Sequence, residues 1–196
     1  MAIVAGDLDK YLTGAGSDGG AQADPDASLG GYRSSTEITD DSDNNLFDDV
    51  SGAEAAAGDV EYRCICIKNA HGSLELQNAK VFLQEADVGA GNSIAFAVET
   101  PESTHLTDGD AQTVANESTV PASIDTTDHN GAGSGVSDWS TGSDYAGGVA
   151  INLGGHDVNL GVGEIIFVWI RRTIGVAAAA AAAVNFTVRI EGDTAA

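Results

Sequence analysis

The run Glu164-Ile165-Ile166-Phe167-Val168-Trp169-Ile170-Arg171-Arg172-Thr173 sets the terms for the rest of the chain. Its apolar centre is β-branched and aromatic, which favours an extended strand over a helix. It falls well short of the roughly 20 apolar residues that span a bilayer as a helix. In a strand, Ile165, Phe167 and Trp169 share one face, and Ile166, Val168 and Ile170 share the other. Both faces are apolar, so both need cover. A two-sheet sandwich buries only one face of each sheet. The N-terminal segment, an inserted loop or a neighbouring copy must supply the remaining cover.

Other segments carry the same extended character. Val184 to Glu191 alternates Val184, Phe186, Val188 and Ile190 with Asn185, Thr187, Arg189 and Glu191, the pattern of a half-buried antiparallel strand. Tyr62 to Asn69, Leu74 to Leu83, Ser93 to Glu99, Gly148 to Leu153 and Val158 to Leu160 read as further strands bounded by turn residues. These runs predict an all-β antiparallel β-sandwich, immunoglobulin-like or jelly-roll-like. It is built from about Glu61 to Thr100 and from Gly148 to Gly192, leaving a short tail at 193–196. The alanines at 177–183 fit either a turn of helix or a small-residue loop.

Two regions lack that character. Residues 1–60 hold thirteen acids, the two cations Lys10 and Arg33, and sparse apolar anchors that include Leu46 and Phe47. Such composition rarely offsets the entropy of ordering by itself. It predicts an extended N-terminal arm that orders only against another surface, interrupted by a short helix at Gly52 to Gly58. Residues 101–148 contain no Lys or Arg and are rich in Ser, Thr, Asp and Gly, with Trp139 and Tyr145 as large anchors. That stretch reads as a long loop inserted between strands, within a domain spanning 61–192.

Charge narrows the partners. Eight Lys and Arg against thirty Asp and Glu give a formal net charge of −22. A surface of that sign repels phosphate backbones and anionic lipid headgroups, so neither nucleic acid nor membrane is an expected partner. The N-terminus, Met1-Ala2-Ile3-Val4-Ala5-Gly6-Asp7, lacks the basic and apolar regions of a secretory signal, which predicts synthesis in a cytoplasm. Cys64 and Cys66 lie two apart on one predicted strand, with Cα atoms about 6.6 Å apart. That is near the upper limit for a disulfide, so they read as buried thiols.

Chemical motifs are weak. Gly14-Ala15-Gly16-Ser17-Asp18-Gly19 matches a dinucleotide fingerprint but lacks the strand and helix that give it meaning. Asp41-Ser42-Asp43-Asn44-Asn45 begins like a calcium loop, yet Leu46 stands where the loop's glycine belongs and Gly52 where its bidentate Glu belongs. A loosely held cation among Asp40, Asp41, Asp43, Asp48 and Asp49 is the residual reading. No Gly-x-Ser-x-Gly elbow occurs, and His71, His105, His129 and His156 are scattered. The expectation is therefore a non-enzymatic protein with no cofactor.

The segment Leu46-Phe47-Asp48-Asp49-Val50-Ser51-Gly52-Ala53-Glu54, followed by Gly58-Asp59-Val60-Glu61-Tyr62-Arg63-Cys64 and Ile67-Lys68-Asn69, resembles a block found in tailed-bacteriophage virion proteins. Leu160-Gly161-Val162-Gly163-Glu164 with Val168-Trp169-Ile170-Arg171-Arg172-Thr173 is similar to a second block of those proteins. The likeness covers roughly residues 25–100 and 150–192. It implies a structural component of the virus particle, on the capsid surface as a decorating and stabilising subunit present in many copies. The implied partners are the major capsid protein and other copies of the chain, giving a homo-oligomer within the virion. Two alternatives stay open: a tail or neck component, and a carbohydrate-binding module using Trp139 and Tyr145. The residues expected to meet a partner are Leu46, Phe47, Trp139, Tyr145, Trp169, Arg171 and Arg172.

Overall fold

The computed structural model describes residues 2–100, 108–122, 135–136, 138–151, 158–178 and 185–194. The apolar run becomes a strand, β9 (Ile165–Ile174), and its neighbours explain its two apolar faces. Before it in the chain come β1 (Leu8–Ala15), β2 (Gly30–Glu37), β3 (Asp59–Asn69), β4 (Leu76–Asp87), β5 (Asn92–Thr100), β6 (Asp110–Thr113), β7 (Gly135–Val136) and β8 (Val149–Ala150). After it comes β10 (Asn185–Thr194). They form two antiparallel sheets, of order β6-β2-β1-β3-β9-β5-β7 and β10-β4-β8. The fold is the expected all-β antiparallel sandwich.

Register decides which side chains share a face. Along β3 and β9 the opposed pairs run from Asp59↔Ile174 to Lys68↔Ile165 without a shift. Ile65↔Val168 and Ile67↔Ile166 therefore point one way, with Arg63↔Ile170 and Glu61↔Arg172 continuing that face. This face meets the smaller sheet, where Val81, Phe82, Leu83 and Ile190 complete the main core. Cys64↔Trp169 and Cys66↔Phe167 point the other way, into a second core. That core also takes Tyr62, Ala97, Ala111, Val114 and Ile165, with Tyr11, Leu29 and Trp139 packed against it.

The second core is closed by the chain itself. The larger sheet curls until Gln112 of its edge strand β6 reaches Glu99 of β5, near the opposite edge, by a backbone N–H···Oε1 bond of 2.9 Å. Close approach at Gly30 makes the curl feasible: φ is +89°, and a Cβ there would lie 1.7 Å from the Gln112 carbonyl oxygen and 3.1 Å from the Trp169 ring. Trp169 is fully buried as a result. β9 is thus flanked by apolar layers on both sides.

Residues 1–60 do not form an arm apart from the domain. β1 pairs with β3 from Leu8↔Asn69 to Leu12↔Ile65, and β2 pairs with β1, so both strands belong to the larger sheet. Their composition hides this because hydroxyls occupy several buried positions. Thr13, Ser28 and Ser34 are buried, and the Thr13 and Ser28 hydroxyls donate to the Cys64 carbonyl at 3.0 and 2.6 Å. The expected short helix forms at Gly52–Ala57. The Ser51 hydroxyl caps it by accepting from Glu54 N–H at 3.2 Å, and the Glu54 carboxylate accepts from Ser51 N–H at 2.7 Å.

The 101–148 region is also partly integral, since β6 and β7 are strands of the larger sheet and Tyr62 N–H donates to the Glu117 carbonyl at 2.7 Å. Of the strand expected at Gly148 to Leu153, the described part holds Val149–Ala150 as a strand, and Leu160 makes an isolated bridge with Leu76. Residues 152–157, 179–184 and 195–196 lie outside the described residues, as do 101–107, 123–134 and 137. Most of the alanine run, most of the Gly-rich stretch near 130 and the end of the tail are among them.

Candidate functional site

Two of the described cations, Arg63 and Arg172, are buried in the molecule. Arg172, opposite Glu61 across the β3–β9 ladder, places its Nε on the Glu61 carboxylate, and its Nη2 lies 3.0 Å from Asp48 Oδ1. Both Arg172 and Glu61 are buried. Burial works against the Arg172 charge, but the Glu61 and Asp48 carboxylates outweigh it and raise its pKa. Arg63, equally buried, spreads its Nη2 to Asp26 at 2.8 Å and Glu117 at 2.7 Å. The Phe47 ring lies against both guanidinium groups, 4.8 Å from Arg172 and 5.4 Å from Arg63. The network therefore ties residues 26, 47, 48 and 117 to the central ladder. Its chemistry is that of a clamp.

Arg33 makes a two-point contact with Asp18 at 3.0 and 2.6 Å, and Lys10 reaches Asp40 at 3.7 Å. Lys80 lies 4.8 Å from the Tyr145 ring, and Arg171 lies 4.9 Å from the Trp139 ring. Little positive charge is left to offset the exposed acids.

A separate polar group holds the second core. Glu99, fully buried, accepts from Trp169 Nε1 at 2.6 Å and from the Gln112 backbone N–H at 2.9 Å. Nearby, Cys64 and Cys66 are free, fully buried thiols. Burial pushes both pKa values up, the reverse of what a nucleophilic thiolate needs. Their role is packing, as the spacing suggested.

The residues expected to meet a partner divide sharply. Leu46 and Phe47 are buried in the main core and Trp169 in the second, so none of these forms an outer contact surface. Arg172 is spent on Glu61 and Asp48. Arg171 stacks on Trp139, whose ring also meets Tyr62 at 5.5 Å. Tyr145 packs against the main core, and its hydroxyl donates to the Asn78 carbonyl at 2.7 Å. These residues are dispersed over both cores and do not converge on one surface.

Sequence reasoning passed over Glu61, Arg63 and Glu99. The first two stand four and two residues before Ile65 in a strand, so period-two reading alone places them on a buried face. Glu99 gives no such signal, because its burial depends on β6 returning across β5.

A cleft of about 680 Å³ lies between the 38–48 segment and β10. Its walls include Ile38, Phe47, Ile65, Ile170, Phe186 and Val188, and its rim carries Asp40, Asp41, Asp43, Asp48, Glu85 and Asp87. Lys10 and Arg172 claim Asp40 and Asp48, leaving a smaller set for the cation suggested by this acidic segment. Among the described residues, Glu54, Asp59 and Glu61 are close enough to share an ion, but Glu61 is bound to Arg172 and Glu54 to the helix cap. Comparison with protein-family models, with curated proteins and with solved structures gives no match.

Proposed function

We propose that the chain is a non-enzymatic structural subunit of a virus particle, bound in many copies to the outer capsid surface. The observation that carries this reading is where the two phage-like blocks fall. They supply β3 and β9, paired over their whole length, and contribute Asp48, Glu61, Arg63 and Arg172 to one buried network. What resembles virion proteins is thus the frame of the fold rather than scattered surface residues.

Charge distribution supports the same role. Two buried arginines, further cations paired with acids, and a large excess of acids give a layer that repels nucleic acid and anionic surfaces while staying soluble at high local concentration. The major capsid protein and neighbouring copies are the partners on this reading. The sugar-binding alternative loses ground, because the rings of Trp139 and Tyr145 are packed against Arg171 and Lys80.

Adding the purified chain to particles that lack it tests the proposal. Saturable co-sedimentation with the particles is expected. Retention on a glycan array without particle binding would instead favour a carbohydrate-binding module.

A further inference from the structure

We infer that the cleft beside β10 is a docking site for an extended, Lys- or Arg-bearing segment of another protein, which adds to the free edge of β10. This inference stands on the geometry alone and does not depend on the virion reading.

Three features converge. First, β10 is an edge strand: its only partner among the described residues is β4, so the backbone groups on its other side have no ladder there. Such an edge is a template for a further strand unless it is blocked. The far half of β10 is guarded by the exposed charged residues Arg189, Glu191 and Asp193, while each half carries one register shift against β4, between Thr187 and Val188 and between Glu191 and Asp193. The near half, Asn185-Phe186-Thr187-Val188, carries no charge and borders the cleft along all four residues.

Second, the cleft offers an apolar wall. Phe186 and Val188 are partly buried against the main core, and Phe186 meets the Phe47 ring edge-on at 6.0 Å. Side chains of an added strand alternate, so every second one would rest on this wall. Third, the remaining side chains would face a rim of one sign. Asp41, Asp43, Glu85 and Asp87 are exposed, and among the described residues Lys10 is the sole cation lining the cleft. A second copy of this chain, at −22, is the wrong occupant for such a rim. A cationic, alternating segment is the right one.

The test uses the full chain and a fluorescein-labelled peptide of eight residues alternating Lys and Val, followed by anisotropy. Two further peptides carry N-methyl groups at every Val or at every Lys. Only one of those two phases removes the donors that face β10. Saturable binding of the parent peptide is expected, with about tenfold or greater loss for one N-methyl phase and near-parent affinity for the other. Neutralising Asp41, Asp43, Glu85 and Asp87 together (to Asn or Gln) should weaken binding by about tenfold or more. Converting Asp24, Asp108, Asp138 and Asp144 to Asn, none of which lines the cleft, should cost under about threefold. Absence of saturable binding overturns the proposal. So does equal binding by both N-methyl phases, or equal loss from the two sets of substitutions, since either would mean that the peptide only adheres to net charge.

Discussion

Trp169 satisfies two demands at once. Its ring fills the second core beside Gly30, and its indole N–H serves a carboxylate, Glu99, that is itself fully buried. Removing the ring and removing the hydrogen bond are therefore separable. Trp169→Ala should cost about 3–5 kcal/mol through the cavity it leaves. Trp169→Phe should cost about 1–3 kcal/mol, because Glu99 then loses a buried donor. Thermal melting reads both, and an unchanged melting temperature in both variants would place the indole outside the core. The sequence showed which face Trp169 shares with Ile165 and Phe167, but not whether that face met a core or a partner. That distinction depends on Gly30 and Gln112, residues far away in the chain that carry no apolar signal of their own.

Strand β9 shows how much of an element was legible. Its two apolar faces called for two layers of cover, and its apolar extent and neighbouring strands were readable from periodicity. The cover comes from the smaller sheet on one side and from Tyr11, Leu29, Ala111, Val114 and Trp139 on the other. Strands β1 and β2 were not legible for a physical reason. Register shifts after Tyr11 and Thr13 break the period of two, and Thr13 and Ser34 are buried where alternation leads one to look for Val or Ile. Removing residues 1–37 should therefore abolish cooperative folding, since it strips β1 from β3 and uncovers the second core. A truncated protein with native near-UV circular dichroism and a sharp melting transition would restore the separable arm. The Glu61–Arg172 pair across β3 and β9 gives a sharper test. Loss of either partner alone, as in Glu61→Gln or Arg172→Met, should cost about 3–5 kcal/mol by leaving an uncompensated charge or donor set. The double variant Glu61→Gln with Arg172→Met should be milder than the sum, with a coupling of about 1–3 kcal/mol in a denaturant cycle. Additive losses would mean that the two side chains act independently.

At the scale of the whole molecule, Arg63 and Arg172 are consumed internally while acids predominate outside, with β1 in the larger sheet and β10 in the smaller. The net charge was readable from composition, whereas its sorting into an inner clamp and an outer coat was not. Sorting needs the ladder that sets Arg172 opposite Glu61 and the folds that carry Asp26, Asp48 and Glu117 to the buried arginines. The cleft was equally invisible in sequence, because its walls meet only when β10 comes beside residues 38–48. On the proposed reading, an acidic exterior suits dense display on a large assembly, where mutual repulsion prevents free clustering and a specific surface provides attachment. The most direct measurement of the proposed capsid role is the number of copies per particle, by quantitative gel densitometry of purified virions against the major capsid protein. The account predicts hundreds of copies, in fixed ratio to the major capsid protein. A few copies per particle would contradict capsid decoration and point to the tail or neck, and none at all would remove the chain from the virion.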